Sequence, residues 1–138
     1  MRIKKYSNEE DAIFRRKRIR LGIYYKYMRG DFPAKAPFGY INKMDGKRRF
    51  IEIDNNEAEV VRTVFFEIAF KNVKPKDIYK KYSDMLSNKS FYKMLSNHFY
   101  IGWIWNPYIN AYTKGNHQAI ISEEVFYLAQ ERIKAVRK

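Results

Sequence analysis

The side chains best suited to chemistry in this sequence are cations and their polar neighbours. Lys47, Arg48 and Arg49 follow one another directly after Asp45-Gly46, and Lys35 stands between Ala34 and Ala36. Arg16 and Arg20 belong to the run FRRKRIR (Phe14 to Arg20). A third group comprises Lys76 and the stretch Asn88, Lys89, Ser90, Tyr92 and Lys93. Ammonium and guanidinium groups bind phosphate oxygens, and Asn and Lys can also read adenine and guanine edges. Tyrosine adds a ring on which a base can stack. Catalysis finds no comparable support. Glu9, Glu10, Asp11, Glu57, Glu59, Glu123 and Glu124 sit where helices are expected to begin, and there they offset the helix dipole. The two histidines, His98 and His117, are isolated, one at an expected helix end and one in a loop, and read as structural hydrogen-bonding residues. There is no glycine-rich phosphate loop, and no serine has a motif-supported general base. With no cysteine there is no thiol nucleophile, disulfide or cysteine-based zinc site. The expectation is no catalytic residue, no metal and no cofactor.

The whole composition agrees with an anionic partner. Lys and Arg number 28 against 15 Asp and Glu, a net charge of +13. That imbalance costs self-repulsion on folding, which a polyanion would relieve. Nucleic acid and an anionic membrane surface both qualify. No apolar run approaches the roughly 20 residues that span a bilayer, and the basic N-terminus lacks the apolar core of a signal peptide. At 46% hydrophobic and 17% aromatic over 138 residues, the chain can bury one substantial core. Absence of cysteine fits a reducing compartment, so a cytoplasmic location is expected.

These residues need elements to position them. Residues 1–6 read as a basic tail. SNEE (Ser7 to Glu10) has the form of a capping box, and the helix behind it should run to about Met28 and end near Arg29-Gly30. Phe14, Leu21, Tyr25 and Met28 line one face of that helix, and Ala12, Ile19, Ile23 and Tyr27 nearly the opposite one. A helix on a single core shows one stripe, so this one reads as held between two partners, one outside this chain. Residues 31–37 contain Pro33 and the stretch ends at Pro37, which predicts a stiff, extended linker. Its Lys35 would suit a narrow minor groove, although an ordinary connector reads the same way. A hairpin follows, Tyr40 to Met44 and Arg48 to Ile53 about the turn signal Asp45-Gly46, with Ile51 and Ile53 on one face. Asp54 and Glu57 open the expected core helix with Ala58, Val61, Phe65 and Ile68 inward. Two short helices come next, Pro75 to about Ser83 and, capped by Asn88, about Lys89 to Ser96, with a polar turn between them. Together they form a helix-turn-helix pattern whose second member would offer its first turns to a major groove. A second hairpin about Asn106-Pro107 and a last helix capped by Ser122, with Phe126, Ala129, Ile133 and Val136 inward, complete the chain. The expected class is α+β: a mainly helical, winged-helix-like DNA-binding domain with two small β-hairpins, preceded by a long N-terminal helix. The expected divisions are residues 1–30, 31–37 and 38–138.

Four stretches occur in a telling order: KAPFGY (Lys35 to Tyr40), NEAEVVRTVFFEIA (Asn56 to Ala69), MLSNHFYIGWIW (Met94 to Trp105) and NHQAIISEEVFYLAQERI (Asn116 to Ile133). Over about Asp31 to Ile133 the chain resembles the recombinase domain of large serine recombinases, the integrases and transposases of phages and mobile elements. The resemblance implies double-stranded DNA, one arm of an attachment site, as partner. It also implies a bacterial or phage setting and a parent protein that is a dimer or tetramer on DNA, with this fragment a monomer. Residues 7–29 resemble the end of the helix that joins such a domain to a catalytic one. The arginine-serine catalytic motif and the zinc-ribbon cysteines of the family are absent, so this chain should bind DNA without cutting it. The segment between the short helices is shorter than the family often has, which bears on where the recognition helix lies. Three other readings compete: a stand-alone helix-turn-helix transcriptional regulator, which would favour a palindromic site, an RNA-binding module, which would favour single strands, and an active enzyme, which would need a nucleophile that the sequence does not offer.

Overall fold

The computed structural model describes residues 7–136; the basic tail expected over residues 1–6 lies outside the described residues. Five α-helices and two hairpins follow in the order α1 (Asn8–Arg29), β1 (Tyr40–Asp45), β2 (Arg48–Ile53), α2 (Asn55–Lys71), α3 (Pro75–Tyr82), α4 (Asn88–Leu95), β3 (Trp103–Asn106), β4 (Ala111–Lys114) and α5 (Glu123–Val136), with one 3₁₀ turn at His98–Ile101 before β3. The class is α+β, mainly helical, with two separate antiparallel hairpins and a long first helix, as the sequence suggests.

The core grows around α2. Asp54 caps it by accepting from the Asn56 and Glu57 amides, and Asn72 ends it in the left-handed region at φ 54°. Ala58, Val61, Val64, Phe65, Ile68 and Ala69 are buried at helical spacing. Burying each of the larger side chains contributes about 1.5–3 kcal/mol. They pack on α5, where Phe126 sits 5.8 Å from Phe65. Glu57 does not close a capping box. Its Oε1 accepts instead from the Gly39 amide at 2.9 Å, tying α2 to the start of β1. Two buried phenols join distant segments: Tyr100 donates to the Phe38 carbonyl and Tyr40 to the Gln118 carbonyl, each at 2.6 Å. Gly39 is required between them. Its φ is +102°, and a Cβ there would lie 2.9 Å from Ile120 Cδ1.

Several expectations need correcting. The register pairs Asp45 with Arg48, so the two turn residues are Gly46-Lys47 rather than Asp45-Gly46. Ser87, not Asn88, caps α4, because its Oγ accepts from the Ser90 amide while Asn88 is already helical. The turn between α3 and α4 is not wholly polar, since Leu86 is buried and belongs to the core. The second hairpin forms about Asn106-Pro107 as expected, with Asn106 closing β3 and residues 107–110 as its loop. Val136 is half exposed and leaves the inner stripe of α5, although Phe126, Ala129 and Ile133 hold it.

The capping box of α1 forms as read, with Ser7 and Glu10 exchanging hydrogen bonds. No residue of this helix is buried. Ile23, Tyr24 and Tyr27 are half-buried near its C-terminal end, whereas Ile13, Ile19, Leu21, Tyr25 and Met28 are exposed. Hydrogen bonds and ring contacts from Tyr24 to Gly30 tie this helix to the body, and its earlier turns are largely exposed.

Candidate nucleic-acid interface

The first cationic site is assembled from two segments. The chain leaves α1 through Gly30 and crosses the body to Gly39 without regular structure. Phe32 packs edge-on against Phe99 at 5.1 Å, and Ala36 and Phe38 lie against the core. These contacts pin both ends of the segment and leave Ala34 and Lys35 exposed at its middle. Opposite stands the β1–β2 hairpin, whose Ile51 and Ile53 anchor it to the core while its tip remains in solvent. Between segment and hairpin runs an open groove of about 930 Å³.

Lys35, Lys47, Arg48 and Arg49 all line that groove, so four expected site residues meet there. Lys26, Arg29 and Lys43 line it as well, against the carboxylates of Asp31 and Asp45. Lys43 is held 2.9 Å from Glu52 and Arg29 3.3 Å from Asp31, pairs in which both partners are solvent-accessible and which contribute about 0–1 kcal/mol. Among the described residues no ion pair engages Lys35, Lys47, Arg48 or Arg49. Their charges are uncompensated on a concave surface, and such a surface concentrates anions. Lys26, Arg29 and Asn42 escaped the sequence reading. The last turn of α1 already carried two cations before a glycine, but nothing local says that this turn folds back toward the hairpin.

The second surface is the helix pair. On α4, Phe91, Met94 and Leu95 face the core, which leaves Lys89 and Lys93, one turn apart, at the centre of the outer face, and Asn88 exposed at the helix start. Ser90 is exposed but occupied by the cap, accepting from the Ser87 hydroxyl at 3.0 Å. Tyr92 is half-buried against Phe91. With Lys76, Lys74 and Pro75 it borders a cleft of about 260 Å³ whose other wall is Ile133 and Val136 of α5. The structure therefore brings Tyr92 to Lys76, and Lys89 to Lys93, while Asn88 is exposed at the start of the helix on a different face. None of these lines the first groove. Arg16 and Arg20 are exposed on the earlier turns of α1 and line neither concavity.

The residues considered for catalysis are engaged otherwise. The His117 ring stacks flat on Phe99 at 3.6 Å, and its Nε2 is 2.6 Å from the Phe99 carbonyl. Burial lowers its pKa, so the neutral ring donates from Nε2 to that carbonyl. His98 stacks on Tyr112 at 4.3 Å, and burial lowers its pKa too. Glu123 accepts from the Trp103 indole at 2.8 Å. Among the described residues no three His, Asp or Glu side chains converge as a metal site, and no helix is long and apolar enough to cross a membrane.

Comparison with known proteins adds to this geometry. The family model described as Recombinase matches residues 55–136. No curated protein sequence matches the chain. Among solved structures, one described as a crystal structure of an LSR–DNA complex superposes with a TM-score of 0.69 at 23% identity, over 88% of this chain and 39% of that one. Another, from work on the sequence requirements of the Listeria innocua prophage attP site, superposes with a TM-score of 0.66 at 24% identity, over 85% of this chain and 51% of that one. At these identities the likeness is one of fold. The chain spans about two fifths and about half of these two structures' chains.

Proposed function

Because the chain belongs to the recombinase family, we propose that it binds double-stranded DNA sequence-specifically, at one arm of a recombination site, and breaks no strand itself. The observation that carries this reading is the groove that gathers Lys35 with Lys47, Arg48 and Arg49, none of them in an ion pair among the described residues. A phosphate backbone lying there would release counterions, and the exposed face of α4 would supply side chains for base edges. The two solved structures of like fold, one holding DNA and one concerned with an attachment site, support duplex DNA as the partner. Strand exchange would belong to a catalytic serine elsewhere in a large serine recombinase, acting as a dimer or tetramer on DNA, with this chain monomeric in the bacterial or phage-infected cytoplasm.

The experiment is a salt titration of binding to random duplex DNA and to single-stranded RNA of equal length. Duplex affinity should fall steeply, with a slope of about −0.9 for each phosphate contacted. Tight RNA binding with weak duplex binding would replace the reading with an RNA-binding one. Selection of a palindromic site by a stable dimer would replace it with a transcriptional regulator. Cleavage of supercoiled plasmid by this chain alone would overturn the non-cutting role.

A further inference from the structure

The end of α1 is held by more contacts than a flexible connector needs. Gly30 caps the helix at φ +84°, and a Cβ there would stand 2.9 Å from the Lys114 carbonyl, so helix end and β4 are in direct contact. The Asn116 amide donates to the Gly30 carbonyl at 2.8 Å. Its side-chain Nδ2 donates to both the Arg29 carbonyl and Asp31 Oδ1, each at 2.8 Å. On the other side of the helix end, the Tyr108 ring meets Tyr24 edge-on at 5.0 Å and Tyr27 at 5.9 Å. Buried Asn106 completes the joint. Its Oδ1 accepts from the Tyr108 amide, and its Nδ2 lies 3.7 Å from Met28 Sδ.

We infer that Asn116 and Tyr108 are positioning residues that clasp the end of α1 and fix the direction in which the helix leaves the body. The exposed cations of α1, Arg16 and Arg20, are then carried at a set angle to the groove, and helix and groove engage one duplex as a single surface. This second consequence rests on the DNA-binding reading; the first does not. Rigid linkage raises the effective concentration of the second surface once the first has bound, and a loosened joint forfeits that gain.

The chain has no cysteine, so two introduced thiols label it cleanly. Gly22, with open space around it on α1, and exposed Glu131 on α5 suit spin labels as Gly22→Cys and Glu131→Cys. The distance distribution between them should be narrow in the parent and broad in Asn116→Ala, in Tyr108→Ala, or in the two combined. Tyr108 is half exposed in a loop, so its variant tests the clasp if Asn116→Ala compromises folding. A broad parent distribution, or one that stays narrow in every variant, overturns the clasp whether or not DNA binds. For the second consequence, removing Arg16 and Arg20 together should weaken duplex binding about tenfold in the parent. The same removal should have little effect in the clasp variants. Equal losses in both backgrounds, or no loss in the parent, would show that α1 and the groove do not act together. Failure of the parent to bind duplex at any salt would instead remove the functional proposal and leave the labels to judge the joint alone.

Discussion

At the scale of single residues, the side chains that define the candidate interface differ in how they are held. Arg48 and Arg49 lie beside the Gly46-Lys47 turn in solvent, so their contribution is charge delivered to a groove. Replacing both with alanine should weaken binding to all duplex sequences alike and reduce the salt slope by about 1.8, two phosphates at roughly 0.9 each. Lys89 and Lys93 project from a short helix whose other side is core. Alanine at either should weaken binding, and where the side chain reads a base, preference at that position should relax by about 1–3 kcal/mol. Titration against a randomised duplex library separates the two patterns, and unaltered affinity in all three variants would refute both placements. His98 and His117 act on stability instead. Burial holds both rings below their usual pKa of 6.5, so the unfolded chain takes up protons first as pH falls. Their stabilising contribution is therefore complete above about pH 6.5 and is lost below it, as the pH falls through the folded-state values. The thermal midpoint should be flat from about pH 8 to 7 and decline toward pH 5, with a shallower decline in His117→Gln. A midpoint indifferent to pH over that range would mean the rings are not held neutral.

At the scale of elements, the boundaries follow from capping chemistry that sequence states only in part. Both Ser87 and Asn88 are competent N-caps, and only the path of the chain decides between them. Ser87 receives the Ser90 amide, so Ser87→Ala should cost about 1 kcal/mol and Asn88→Ala a few tenths. Chemical denaturation measures this, and the reverse order would move the start of α4 by one residue. The same competition decides the fate of Glu57, which stands where a capping box would use it. The carboxylate turns instead to the Gly39 amide, because that buried donor would otherwise lack a partner. Leu86 was hidden for a related reason. A five-residue turn between two short helices looks polar, yet the helices cannot pack without an apolar side chain beneath the turn, and Leu86 supplies it.

At the scale of the whole molecule, the net charge of +13 and the scarcity of ion pairs act together. Among the described residues five pairs form, and Lys81–Glu67 alone has a partner that is largely shielded from solvent. Repulsion among the remaining cations opposes the compact state, and salt screens it with a Debye length of about 10 Å at 0.1 M. The melting temperature of the free protein should therefore rise between about 20 and 300 mM salt while its affinity for duplex DNA falls. Calorimetry beside binding titrations would show the opposite signs. A melting temperature that falls with salt would mean that attractive pairs dominate the surface.

The sequence by itself determined the elements and their inner faces. Periodicity put Ala58, Val61, Phe65 and Ile68 on one side of α2, SNEE marked the start of α1, and alternation oriented Ile51 and Ile53. These are local signals, fixed by the 3.6- and 2-residue repeats of the backbone and by hydrogen bonds spanning three or four residues. It also determined that the chain carries a large excess of cations and four stretches in the order of its family. The sequence grouped Lys35 with Lys47, Arg48 and Arg49 by nearness along the chain, and tertiary structure decided that they face one groove and which other cations join them. Lys35 meets Lys47, Arg48 and Arg49 because Phe32 finds Phe99 and because Asn116 ties down the end of α1, contacts between residues 67 and more than 80 positions apart. No local periodicity encodes such pairings. They follow from closing buried polar groups and apolar surface across the whole fold, and for that reason Lys26, Arg29 and Asn42 became visible only in three dimensions.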